Sequence, residues 1–239
     1  FGITYAVRNP IPFQLPDETD FPRYLGWSFR NFGVDRLTYH QYSETFQDVS
    51  LQDGWITDPF NKLYYEFYKL WGAGHCFGMS LESVVAEKGL SMYSEPIHRF
   101  FPETQAYPNQ LDPRIEAHAS MIHELGVKQG YQLGAQPLDW ILGHILTGAS
   151  HDPRGAYRDS KAAQERGDTP IMYSFSNYFF ADAHAVRPYL WDDASVPDRW
   201  TMRVADPNHP GAVDRIIQSD TSANTYEYDQ YSGGEWLGG

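Results

Sequence analysis

Cysteine is almost missing from this chain: one residue, Cys76, among 239. A single thiol excludes an intrachain disulfide, and with no second cysteine there is no cysteine pair for a structural zinc site. A domain of this length does not depend on disulfides, so their absence leaves the cellular compartment open. Basic residues are also scarce, 18 Lys and Arg against 31 Asp and Glu for a formal charge of -13. That balance removes the cationic surface through which a general nucleic-acid binder grips phosphate. No apolar run is long enough to span a bilayer, no secretion signal is visible, and no glycine loop of the phosphate-cradling kind occurs. The acidity fits a solubilising surface, with steering of cationic peptides or polyamines as a second consequence. The chain begins at Phe1 without Met, as expected of a soluble processed product, secreted or not, or of an excised domain of a longer protein.

With 41% hydrophobic and 16% aromatic residues, the chain can bury a sizeable core as one domain. Residues 1–57, rich in proline and aromatics and containing Pro10, Pro12, Pro16, Pro22 and an Asn31-Phe32-Gly33 turn, are expected to form a wrapping segment that buttresses the rest, with cover over part of a cleft as the alternative. Residues 58–239 form the main body, which starts helical. Asp58-Pro59 opens one helix, the Cys76 segment a second that stops at Gly89, and Asp112-Pro113 a third that ends near Gly126. Gln136-Pro137 opens a fourth, and Lys161–Arg166 closes the series. Strand patterns then take over at Pro170–Phe175, His184–Leu190, Trp200–Ala205, Asp214–Gln218 and Thr225–Tyr228. Helices followed by strands indicate an α+β fold. The C-terminal Gly233-Gly234 and Gly238-Gly239 pairs are expected in a flexible tail.

Cys76 sits in Gly72-Ala73-Gly74-His75-Cys76-Phe77-Gly78, directly before the helix-forming run Leu81–Lys88. A helix N-terminus carries unpaired N–H groups and partial positive charge, which favour thiolate over thiol. It also places the Cys76 backbone N–H beside the sulfur, as a donor for an oxyanion. Gly74 and Gly78 permit close backbone approach, and Phe77, Leu81, Val84, Val85 and Lys88 have the spacing of a buried stripe with Cys76 at its edge. A buried, inert thiol is the competing reading.

A nucleophilic thiol needs a base, and the base needs an orienting group. Of the nine histidines, His184 heads an apolar strand, and the next strand ends at Asp206-Pro207-Asn208. A hairpin brings Asp206, or alternatively Asn208, beside His184, where either can fix the imidazole tautomer. His118 and His123 share a helix but stand five apart, off a common face, so no metal site is expected there. His209 belongs to a proline-flanked turn and is expected in solvent. His75 and Gly74 are candidates to line a cleft, with a surface position the alternative for His75.

Cys at a Gly-x-Cys helix start, His at the head of a strand, and Asp at the end of the following strand resemble, in that order, the papain-like cysteine peptidase superfamily. Val204-Ala205-Asp206-Pro207 resembles most closely its bacterial branch, which includes the bacteriocin-leader-processing peptidases, where the third member is Asp before Pro. The resemblance spans roughly residues 60 to 220. It implies Cys76 as nucleophile, His184 as general base and Asp206 as orienting carboxylate. It also implies a papain-like fold in which a helical half carries the nucleophile and an antiparallel sheet carries His and Asp. A peptide or protein substrate and no cofactor follow from it. The glutamine that such enzymes place about one and a half helical turns before the nucleophile has no counterpart: Leu70 holds that spacing, and Asn61, Lys69 and His75 are the nearby polar residues.

The expected activity is therefore a cysteine peptidase or amidase working through a thioester. Acyl transfer, transglutaminase-like or deamidating chemistry uses the same triad, and a catalytically silent papain-like binding module is the non-enzymatic alternative.

Overall fold

In the computed structural model, the structure describes residues 21–31, 37–46, 59–70, 74–88, 116–147, 152–174, 183–231 and 234–235. Among the described residues seven α-helices come first: α1 (Phe21–Tyr24), α2 (Tyr39–Thr45), α3 (Pro59–Leu70), α4 (Cys76–Glu87), α5 (Glu116–Gly130), α6 (Ala135–Thr147) and α7 (Pro153–Glu165). Strands follow, β1 (Met172–Ser174), β2 (His184–Val196), β3 (Arg199–Ala205), β4 (Ile216–Asp220) and β5 (Thr225–Glu227), joined antiparallel in the order β1-β2-β3-β4-β5. Two short strands, β6 (Asp229–Tyr231) and β7 (Gly234–Glu235), pair separately. The fold is α+β, helices first and sheet last. Among the described residues no helix is long and apolar enough to cross a membrane.

Alternation along β2 and β3 sends side chains to two faces of the sheet. On one face Val186, Met202, Val204 and Ile217 pack with Tyr157 of α7 and with Tyr228. On the other, Tyr189 and Ala205 pack with Phe21 and Leu25, and Arg187 reaches α4. Pro188, which lacks an N–H, lies beyond the last residue paired to β1, next to a bulge where Tyr189 is the extra residue.

The helical half has its own cores. Trp27 and Phe29 pack with Met79 of α4 and with Met121 and Leu125 of α5, so the described part of residues 1–57 is built into the body. Leu37, Tyr42, Tyr68 and Leu133 form a second, aromatic-rimmed cluster. Helix α4 lies close on α5 because Gly78 has no side chain: a Cβ there would stand 2.3 Å from the Leu125 carbonyl oxygen.

Two sequence expectations need correction. The α5 helix does not end near Gly126 but runs to Gly130. Gly126 gives room to Gln41 of α2, whose Nε2 would lie 2.0 Å from a Cβ there, so its role is close packing rather than capping. The buried stripe on α4 is also different. Phe77, Gly78, Met79, Ser80, Glu82 and Ser83 are buried, whereas Leu81, Val84 and Val85 are half-buried and Lys88 is exposed. The polar positions are inside because each has a distant partner: Ser80 Oγ donates to the Ala185 carbonyl, Ser83 Oγ to that of Leu25, and Glu82 pairs with Lys128 at 2.7 Å. The proposed helix ends at Gly89, Asp58 and Asp112-Pro113, and the Gly238-Gly239 tail, lie outside the described residues.

Candidate active site

Helix α4 begins at Cys76, with His75 preceding it and the His75 carbonyl accepting the first helical bond from Met79 N. Cys76 is half-buried as a residue. It is hydrogen-bonded to His184, the first residue of β2, and receives the backbone N–H groups of Ala185 and Phe77. Burial is the largest single influence on the thiol and pushes its pKa up, but the His184 hydrogen bond and charge and the two N–H groups outweigh it, and the net value is lowered.

Strand register explains why Asp206 meets His184. Arg187 pairs with Ala205 and Pro188 with Val204, so the continued ladder sets Asp206 across from Val186, two residues from His184 on the same face. His184 Nε2 donates to Asp206 Oδ1 at 2.7 Å, which leaves Nδ1 as the nitrogen that faces the thiol. His184 and Asp206 are both buried. Burial acts to lower the His184 pKa, yet Asp206 and Cys76 together raise it, to about 10. The Asp206 carboxylate is pushed up by burial and held below its usual value by His184, Tyr228 and the Asn208 N–H.

Asp206 is held on every side. Its Oδ1 also accepts Asn208 N at 2.7 Å, its Oδ2 accepts the Tyr228 hydroxyl at 2.5 Å, and His209 Nε2 lies 3.9 Å from Oδ2. Asn208 therefore touches the carboxylate through its backbone, while its side chain accepts from Asn31 Nδ2 at 3.0 Å. His209, expected in solvent, is instead half-buried beside this carboxylate.

Three residues that sequence reasoning gave no role complete the surroundings. Asn31 accepts His75 N at 2.7 Å through Oδ1, donates through Nδ2 to Asn208, and its own N–H donates to the Pro207 carbonyl at 2.7 Å. One side chain thus ties the turn before Cys76 to the turn after Asp206. Gln129 of α5 accepts Gly78 N at 2.9 Å, satisfying a first-turn donor of α4. Tyr228 follows β5. The only sequence signal for Asn31 was a turn motif, which carries no information about a partner 177 positions away.

Of the remaining candidates, His75 is fully buried beside the site, not on the surface, and Gly74 faces the Asn31 amide. Asn61 accepts the Tyr42 hydroxyl, and Lys69 pairs with Glu66 at 2.5 Å and lies over Tyr65. Both are engaged within the α2–α3 region. The Leu70 side chain lies outside what is described.

Arg187 joins the two halves next to the site. It donates to Ser83 Oγ at 2.8 Å, pairs with Glu87, and stacks over the Phe21 ring 4.5 Å from its centroid. Burial lowers its pKa to about 9. The arrangement can therefore present a pre-formed thiolate–imidazolium pair with a buried carboxylate behind it. A scan against family models, a search of curated proteins and a search of solved structures each return no match.

Proposed function

We propose that this protein is a papain-like cysteine hydrolase, acting on peptide or amide bonds through Cys76, His184 and Asp206. The observation that carries the reading is the chain of contacts from the α4 N-terminal thiol to His184 and from His184 Nε2 to Asp206 Oδ1. A structural cysteine has no use for a buried, charge-stabilised histidine.

The Cys76 thiolate attacks the carbonyl carbon, forming a C–S bond while the carbonyl oxygen takes the electron pair. The Cys76 backbone N–H at the helix start stabilises that oxyanion. Protonated His184 then delivers its Nδ1 proton to the leaving nitrogen as the C–N bond breaks, giving amine and thioester. Neutral His184 next takes a proton from water, the hydroxide adds to the thioester, and collapse releases the carboxylic acid and restores the ion pair. Asp206 stays ionised throughout, holding the ring orientation and stabilising the imidazolium.

The test is thiol reactivity as a function of pH. Iodoacetamide should alkylate Cys76 readily near pH 6, about two units or more below the range of an ordinary thiol. His184→Ala should move the profile to higher pH, leaving only the helix-end contribution. A thiol that resists reagent until the protein unfolds, and ignores His184→Ala, would refute the proposal and leave a silent binding scaffold as the better account.

A further inference from the structure

On the far side of α5 from the α4 contact, two helices bring three metal-ligand side chains together. His40 and Glu44 stand four apart on α2, and His123 projects from α5. His40 Nδ1 lies 3.3 Å from Glu44 Oε1 and His123 Nε2 2.5 Å from Glu44 Oε2. The ligand atoms of all three lie within 4.8 Å of one another. The two imidazole rings meet edge-on, with centroids 5.1 Å apart. The His123 contact is a hydrogen bond from Nε2–H to the carboxylate, and a cation taking the place of that shared proton would meet two imidazole nitrogens and one carboxylate around a common point.

The backbone that carries them is fixed independently of any ion. Thr38 and Gln41 form a capping box at the start of α2. Between the two ligands of α2, Gln41 Nε2 donates to the His123 carbonyl at 3.4 Å, and just after them Thr45 Oγ1 donates to the Val127 carbonyl at 2.9 Å. The helices are close enough for this because residue 126 is glycine. The ligand side chains themselves remain open, 67% exposed at His40, 40% at Glu44 and 38% at His123, which gives an ion an entry path and room for water.

We propose that His40, Glu44 and His123 form a binding site for a divalent transition ion, zinc by ligand type, with water completing the coordination. Two imidazoles and one carboxylate suit zinc, cobalt or nickel, whereas calcium and magnesium require oxygen ligands. Around a tetrahedral ion with bonds of about 2.0–2.1 Å, ligand atoms stand about 3.3 Å apart. Adjusting the present spacings to that value takes side-chain movements of about an ångström and no backbone change. No metal site was expected from His118 with His123; the partners of His123 come instead from a different helix, where His40-x-x-x-Glu44 places two ligand types one turn apart. Bound there, the ion staples α2 to α5, the helix that holds α4 through Gln129 and Lys128.

The experiment uses tag-free protein carrying Cys76→Ser, so that neither an affinity tag nor the thiol can bind metal. Zinc chloride is titrated by calorimetry at about pH 7.5, where free imidazole is neutral, and cobalt binding is followed by its visible absorption. One equivalent of zinc should bind, and the melting temperature should rise by about 5–10 °C at a hundredfold excess of ion over its dissociation constant. Calcium and magnesium should give no rise. The His40→Ala/His123→Ala double variant should lose the zinc heat, the cobalt band and the rise in melting temperature. Glu44→Gln, which keeps the shape and a hydrogen-bond acceptor, should weaken binding at least tenfold. Absence of binding to the parent, or equal affinity in either variant with circular dichroism unchanged, would overturn the proposal.

Discussion

The two halves of the molecule hold their parts of the site by different means. In the sheet half, His184 and Asp206 are set by strand register, and their faces are locked by an apolar core of Val186, Val204, Met202 and Tyr157. In the helical half, Cys76 sits on a helix whose buried face is largely small or polar, positioned by single directional bonds from Gln129, Trp27, Lys128 and Arg187. A ladder fails cooperatively, whereas a set of separate bonds can be loosened one at a time. Damage to the sheet half should therefore cost folding, and damage to the helical half should cost alignment of the thiol first.

The sharpest test of that contrast is Asp206→Asn, which keeps shape and removes charge at the best-held atom of the sheet half. If the triad acts as proposed, turnover should fall, but by less than the ~10⁴-fold of the same change in serine triads, because an amide can also hold the imidazole and only the charge is lost. Its alkylation profile should move to higher pH, because His184 loses the charge that raises its pKa. The signs are fixed by the directions of shift. The raised His184 pKa contributes stability that is complete below its unfolded value of 6.5 and lost as pH rises through about 10. The lowered Cys76 and Asp206 values contribute stability above their unfolded pKa values and lose it as pH falls through the folded ones. Thermal melts across pH on parent and Asp206→Asn should differ most where the parent carboxylate is charged; identical curves would show that the charge is not coupled to folding.

Next in size is Arg187→Leu, which removes the cation bridging the halves and leaves Glu87 without it. A loss of about 3–5 kcal/mol is expected in urea titration. A loss below about 1 kcal/mol would mean that the bridge is surface-like and that the halves are held by their other contacts, such as Ser80 to Ala185 and Asn31 to Asn208.

Asn31→Ala separates alignment from stability. About 1–2 kcal/mol of stability should go, while activity should fall about ten- to a hundredfold, because the turns flanking Cys76 and Asp206 lose their common tie. Equal proportional losses would break the comparison. The smallest effect belongs to Gln129→Ala, about 1 kcal/mol, with the alkylation rate of Cys76 reduced more than the melting temperature suggests.

The parts of this site that were legible in the sequence are those marked by chain punctuation. Cys76 follows glycines at a helix start, His184 opens an apolar strand, and Asp206 stops the next strand before proline; the hairpin spacing indicates that the last two can meet, and the family resemblance is what pairs them with Cys76. What was not legible depends on partners far away in the chain. Ser80, Glu82 and Ser83 look like a solvated face, and they are buried only because Ala185, Lys128, Leu25 and Arg187 arrive to satisfy them. Gly126 was expected to cap a helix because glycine at a periodic end usually does so; only the approach of Gln41 shows its other use. Asn31 had only a turn signature, which says nothing of its partners His75 and Asn208.

The reach of the contacts around Asp206 has a consequence for the birth of the protein. Asn31 is joined to Asn208, and the Asp206 carboxylate to the hydroxyl of Tyr228, so the site draws on residues near both ends of the described chain. During synthesis Cys76 emerges long before His184, and the last hydroxyl on the carboxylate arrives only with Tyr228. Until then the thiol belongs to a half-made helix with an ordinary pKa. A nascent chain on the ribosome thus carries an unactivated cysteine, and His184 and Asp206 can act on it only once Tyr228 has been delivered. Closing contacts of such sequence separation is slow, which sets a delay between the emergence of Tyr228 and the first activated thiol.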